Sequence, residues 1–215
     1  MTVAVKISLW LALGWRVGEA IGWGRRAAVF RPLISRLNAT LLIALIGVIC
    51  GGPALAQGPT EHQVKAAFVF NFTKFVEWPT AAFRSSPNTI NICLIGEDLL
   101  SKALDEVVKG QSVGGRGFAV RRLTQIPRDD SCQIAFLGGM DKNRAEQVLA
   151  PVKALPILTV VDNEDGGDPG AMIGLVIEDS KVRFNINLEA AEKVGIKLSS
   201  KLLKLAKTVR EKGGK

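Results

Sequence analysis

Three short runs, INICLI (residues 90–95), QIAFL (133–137) and PILTVVD (156–162), are apolar at nearly every position rather than at every second one. A strand with one face in water alternates polar and apolar residues, whereas a strand apolar on both faces has to be covered on both. Segments of helical periodicity separate these runs. DLLSKALDEVVKG (98–110) places Leu99, Leu100, Ala103, Leu104, Val107 and Val108 at helical spacing and stops at Gly110, and KNRAEQVLAPVKAL (142–155) reads as a second helix. FAVRRL (118–123) is a further strand, and AMIGLVIEDSKVRFNINL (171–188) reads as two strands joined at Asp179-Ser180. One or two helices lie within the closing stretch 189–212. The alternation predicts a single three-layer α/β domain: a mostly parallel sheet, helices on both faces and an antiparallel edge hairpin. VGGRG (113–117) precedes a strand instead of linking a strand to a helix, so it reads as a turn and not as a phosphate loop.

The segment EHQVKAAFVFNFTKFVEWP (61–79) is greasy and charged together. On a helical wheel Val64, Phe68, Phe72 and Phe75 form one stripe, widened by Ala67, Val69, Val76 and Trp78, with Thr73, Lys74 and Glu77 opposite. Pro79 is expected to end the helix at Trp78, because a residue before proline avoids the α region. Such a stripe packs into a core. Phe70 falls on the polar side, which makes it a candidate partner contact; the alternative is packing on a neighbouring element.

The first 56 residues read as an export region. Arg31 and Arg36 precede the apolar run Leu41–Ile49, a Gly-Gly-Pro breaker follows, and Ala54 and Ala56 sit at the −3 and −1 positions of a cleavage site. The signal peptide is expected at about 29–56. The run falls short of the ~20 apolar residues that span a bilayer. Cys50 follows Ile49 instead of the small residue a lipobox wants, so it reads as one more apolar residue. Residues 1–28 form a second apolar segment broken by Lys6, Arg16 and Glu19, which a mis-assigned start would explain. The domain is therefore expected at 57–215. Of 28 basic and 20 acidic residues, six and one lie in the export region, so the formal charge of +8 falls to +3. What remains gathers late in the chain, at Lys193, Lys197, Lys201, Lys204, Lys207, Arg210, Lys212 and Lys215, and reads as a solvated helix face. No RNP, zinc-finger or basic-aromatic pattern points to nucleic acid.

The inventory for catalysis is thin. The chain has one histidine, His62, at a helix start, and no tyrosine. A general base needs oriented partners, which nothing here supplies. Asp162, Glu164, Asp165 and Asp168 in DNEDGGDPG do not follow the spacing of an EF-hand loop and read as a solvated loop. No cofactor or metal is expected, and the chain is read as a non-enzyme. Cys93 and Cys132 are the two cysteines left after export. In an oxidising compartment an even pair usually bridges; two buried free thiols are the alternative.

VKAAFVFNFTKFVEWP, INICLIGED, GRGFAVRRL, CQIAFL, LTVVD, AMIGLVIEDSKVRFNINLEAA and GIKLSSKLLKLA stand in the order seen in the YfiR family of periplasmic proteins, also called HmsC-type, and the resemblance covers nearly all of 61–207. It implies a periplasmic repressor that binds the periplasmic domain of an inner-membrane diguanylate cyclase, lowering cyclic di-GMP, exopolysaccharide and biofilm. An outer-membrane lipoprotein that sequesters the repressor is a second implied partner, and a homodimer is left open. Cys93 and Cys132 match one disulfide of the family; Gly167 and Gly174 stand where some members carry a second pair. The hairpin is the expected partner surface, around Ile173, Arg183 and Asn185, since edge strands and their exposed side chains favour association; ordinary sheet packing is the alternative for Ile173. A periplasmic sensor of a small ligand is the alternative, because a doubly wound sheet offers a natural crevice.

Export with cleavage after Ala56 is the expected outcome of N-terminal sequencing, which should read Gln57-Gly58-Pro59. A membrane-retained species still carrying Leu41–Ile49 is the contrary result.

Overall fold

The computed structural model describes residues 58–96, 99–129, 131–162 and 170–211. The export region, with Ala54 and Ala56, lies outside the described residues, as do Glu164, Asp165, Gly167 and Asp168. The chain opens with α1 (Glu61–Phe72) and the short β1 (Val76–Glu77), then β2 (Thr89–Gly96), α2 (Leu99–Val108) and β3 (Gly117–Leu123). It continues with β4 (Ile134–Gly138), α3 (Lys142–Leu149), β5 (Leu158–Asp162), β6 (Ile173–Glu178) and β7 (Lys181–Asn187). Last come α4 (Leu188–Lys193), β8 (Lys197–Leu198), α5 (Ser200–Leu205) and β9 (Thr208–Arg210).

Seven strands form the main sheet in the order β3-β2-β4-β5-β6-β7-β9. The pairs from β3 through β6 are parallel, β6 and β7 are antiparallel, and β9 runs parallel to β7 at the border. The apolar runs occupy the middle of this sheet, and their side chains alternate between two cores. Ile92, Leu94, Ile134, Phe136, Leu158 and Val160 face the layer that holds α1 and α2. Cys93, Ile95, Ala135, Leu137 and Val161 face the layer that holds α3. The three layers follow directly from strands with no wet face. At the β6–β7 turn Asp179 and Ser180 both adopt positive φ, 49° and 58°, the geometry that a two-residue hairpin needs to match strand twist.

α1 starts at a capping box. The Thr60 hydroxyl accepts from Gln63 N at 3.3 Å while Gln63 Oε1 accepts from Thr60 N at 2.8 Å. The helix stops at Phe72, six residues before the expected end. Val76 and Glu77 leave the helix to pair with Leu198 and Lys197 in a separate two-stranded sheet, and the Trp78 indole donates to the Gln133 carbonyl at 3.1 Å. Backbone pairing with a distant segment thus overrides a helical pattern that the wheel alone would extend.

For Phe70 the structure bears out the packing alternative and not the partner contact. Its ring is 7% exposed and lies edge-on to Phe118 of β3 at 5.4 Å, with the Lys74 ammonium 4.3 Å from its centroid. Phe68 and Phe72 instead meet Phe184 of β7, at 5.6 and 5.2 Å. α1 therefore has two apolar sides, one toward β3 and one toward β7. A wheel that assumes one wet face assigns the second side to solvent. Such edge-to-face pairs add about 0.5–1.5 kcal/mol each beyond their buried area.

Lys65 is the largest departure from binary patterning. It is 1% exposed, and its ammonium meets Asp162 at the end of β5 at 2.6 Å and Glu61 one helical turn back. Burial works against the charge, but the hydrogen bonds that the ammonium donates to Asp162 and Glu61, with their negative charges, outweigh it and hold the ammonium above its ordinary value of 10.5. Gln133, also buried, is a second polar tie. Its amide donates to the Ala82 carbonyl and accepts from Asn91 N at 2.8 Å, fixing the turn at Thr80–Phe83 onto β2. Gly96, with φ +97°, ends β2; a Cβ there would overlap the Gly138 carbonyl of β4.

Cys93 on β2 and Cys132 just before β4 are joined by a disulfide, with Cα atoms 6.0 Å apart and both residues buried. It closes a span of 39 residues, worth about 4 kcal/mol in the chain-entropy account. Denaturant unfolding of the Cys93→Ser, Cys132→Ser variant should show a loss of that order, and non-reducing peptide mapping of the native protein should recover the linked pair. Lys65→Met should cost about 3 kcal/mol at neutral pH, since it leaves the partly buried Asp162 uncompensated. Because the folded pKa is raised, the ion cluster contributes fully below pH 10.5 and is lost as pH climbs through the higher folded value. The stability gap between wild type and Lys65→Met, read from urea midpoints, should therefore close above pH 10.5; a constant gap into strong alkali would refute the ion cluster as its source.

Candidate functional site

The β6–β7 hairpin has two unlike faces, set by strand alternation. Ile173 and Leu175 of β6, opposite Ile186 and Phe184 of β7, point into the core under α1 and are buried. The neighbouring positions point the other way. Gly174 stands opposite Asn185, Val176 opposite Arg183 and Glu178 opposite Lys181. None of these six residues is buried; Arg183, Glu178 and Lys181 are exposed and the other three half-buried. On the α3 side of the sheet, the buried cluster is drawn from β2, β4, β5 and α3, together with Ile126, Cys132, Val152, Ile157 and Ala171. It does not extend over this outer hairpin face.

The outer face is ordered by its own polar contacts. Thr208 of β9 donates its hydroxyl to Asn185 Oδ1 at 2.8 Å, and Lys207 pairs with Glu178 at 2.7 Å. That pairing, a hydrogen bond and a charge contact together, holds the Glu178 carboxyl below its ordinary range. β9 covers the outer border of β7 only from Asn185 to Asn187. Lys181, Val182 and Arg183 lie beyond the reach of that pairing.

The structure separates the residues that the sequence reading grouped. Arg183 and Asn185 share the outer face. Ile173 does not: it is 0% exposed and belongs to the opposite, core-facing row. The error is one of parity, because a shift of one residue along a strand moves a side chain to the other face. Gly174 and Val176 are the residues of β6 that accompany Arg183 and Asn185, and alternation alone would have found them. Phe70, as described above, is a core residue under β3 and offers no surface. Gly174, at the position where some relatives were expected to carry a cysteine, lies on the outer face with open space around a Cβ built on it.

Nothing in the described residues assembles a metal centre: no group of three or more His, Cys, Asp or Glu side chains stands close enough to hold an ion. Asp162, the described member of the acidic loop singled out above, is engaged by Lys65. No helix among the described residues is long and apolar enough to cross a membrane.

Compared with solved structures, the chain is similar to a conserved domain protein from Vibrio cholerae, at 12% identity and a TM-score of 0.45, over 70% of this chain and 60% of that one. The chain thus spans 60% of the length of that protein. Against protein-family models, residues 62–207 match the YfiR/HmsC-like family, a span that runs from the first turn of α1 past the end of α5. The chain belongs to the YfiR/HmsC-like family.

Proposed function

We propose that this protein is an exported, non-catalytic regulator that binds the periplasmic domain of an inner-membrane diguanylate cyclase and represses it, lowering cyclic di-GMP and with it exopolysaccharide and biofilm output. Membership of a family of periplasmic regulators of diguanylate cyclase signalling supports the direction of this reading. The observation that carries it is the outer face of the hairpin. Gly174, Val176, Arg183 and Asn185 form a rigid, half-exposed platform whose reverse side is anchored in the core through Ile173, Leu175, Phe184 and Ile186. A platform held this way loses little conformational freedom on docking, which favours affinity. Val176 and the neighbouring Gly174 offer apolar contact, Arg183 a charge and Asn185 an amide, the mixture of a small recognition patch.

Repression through binding is a population shift. The regulator has to bind the inactive periplasmic state of the cyclase more tightly than the active one, by roughly 1–3 kcal/mol for a typical coupling. An outer-membrane lipoprotein that competes for the same platform would relieve the block without touching the cyclase.

Deleting the gene should raise cyclic di-GMP and surface attachment, and loss of the cyclase gene should suppress that effect. Gly174→Trp places a large ring on the platform where a Cβ meets nothing within 4 Å, so it should leave the thermal midpoint nearly unchanged and yet derepress as the deletion does. Arg183→Glu should act in the same direction. Unchanged cyclic di-GMP in the deletion strain would sink the regulator reading; a folded Gly174→Trp protein that still represses would move the contact elsewhere.

A further inference from the structure

The late basic residues do not gather on one helix. Lys193 closes α4, Lys197 lies in β8, Lys201 and Lys204 in α5, Lys207 just before β9 and Arg210 within it. From Lys193 to Arg210 the chain carries these six cations and no aspartate or glutamate. Several are engaged within the fold. Lys193 pairs with Glu189 at 2.8 Å and Lys207 with Glu178 at 2.7 Å, and Arg210 also has contacts of its own. Lys197 stands opposite Glu77 in the β1–β8 pair, which offsets its charge. Lys201 and Lys204 are exposed and, among the described residues, have no carboxylate partner.

The same stretch of α5 exposes a leucine. Lys201, Lys204 and Leu205 are spaced i, i+3 and i+4, so they share one face of the helix. Leu202, at 2% exposure, buries the other face in the core under the sheet. Leu205 is 65% exposed, the highest value for a large apolar side chain among the described residues. α5 thus presents a protruding apolar side chain beside two uncommitted ammonium groups.

We infer that this face of α5 meets an anionic lipid bilayer, with Leu205 entering the interface and Lys201 and Lys204 facing phosphate headgroups. Two features favour lipid over a protein partner. Protein hot spots draw on aromatic and arginine side chains set in desolvated pockets, whereas the cations here are lysines, point charges on flexible stems that suit a diffuse field of headgroups. Those stems can also lie along the interface while the ammonium groups stay wet. Each lysine near an anionic surface is worth about fivefold in partitioning, and part-burial of the leucine about tenfold. The product, on the order of a few hundredfold, describes weak and reversible association and not an anchor. Lipid contact does not depend on the cyclase reading, and a protein held at a membrane surface is concentrated where any inner-membrane target lies.

Co-sedimentation of the purified protein with extruded vesicles, without any cyclase, tests this. The protein should sediment with phosphatidylethanolamine–phosphatidylglycerol vesicles, stay in the supernatant with phosphatidylcholine vesicles, and leave the anionic vesicles as salt is raised. Lys201→Gln combined with Lys204→Gln should weaken the association about 25-fold, and Leu205→Ser about tenfold. All three side chains are exposed, and a circular dichroism melt establishes that the variants fold. Lys102→Gln, at an exposed lysine of α2, should bind as wild type. Absence of sedimentation with the anionic vesicles overturns the inference, as does equal sedimentation with both vesicle types or binding that the α5 variants leave untouched. Capture by immobilised polyglutamate with no binding to vesicles assigns the face to an acidic polypeptide and likewise overturns the lipid contact.

Discussion

The need to keep water off both faces of β2, β4 and β5 governs this fold. Each of these strands presents apolar side chains in both directions, so two layers have to exist before the sheet is stable. α1 and α2 supply one layer; α3 and the turn at Ala150–Val152 supply the other. The second layer is the smaller, and its buried cluster stops at β5. β6, β7 and β9 extend the sheet past it, and their outer side chains accordingly turn polar. The surface proposed for docking is thus a by-product of sheet width: the sheet is wider than one of its two covers.

α1 is the element that ties this wide sheet together. Its aromatic side chains reach Phe118 in β3 and Phe184 in β7, the first and sixth strands in spatial order. Lys65 adds a polar clamp from the same helix to Asp162 in β5. A buried ion pair contributes little net stability against a well-packed apolar isostere, but it tolerates only one register between helix and strand. The aromatic pairs supply energy and the ion cluster supplies position. The hairpin platform inherits both, because the reverse side of β7 is held by the Phe184 ring that α1 covers.

The three layers, the mostly parallel sheet and its antiparallel hairpin were legible in the sequence because they rest on strand-length apolar runs and on helical periodicity, both local signals. The turn at Asp179-Ser180 and the approximate extent of β2 to β7 were legible for the same reason, whereas β1, β8 and β9 fell in stretches that read as helix. What the sequence concealed was long-range. The end of α1 is set by β1 pairing with β8, some 120 residues on. The burial of Lys65 left no local sign, because its partner Asp162 is 97 residues away, and no periodicity links the two. Within the proposed site, Arg183 and Asn185 could be chosen from their strand, while Ile173 was placed on the wrong side by one residue. Phe70 was left between a partner contact and packing because a helix with two buried sides has no single stripe.

The disulfide changes the topology of the molecule in a way that hydrogen bonds do not. Cys93 lies within β2 and Cys132 just ahead of β4, so the segment between them, which contains α2 and all of β3, is a covalently closed ring. β3 borders the sheet, and a border strand is the element most readily exchanged between two copies of a chain. With the ring shut, β3 cannot be handed to a neighbour without carrying its own parent strand along. A single protease nick inside the ring leaves both pieces tethered, so the border of the sheet can be damaged without being released.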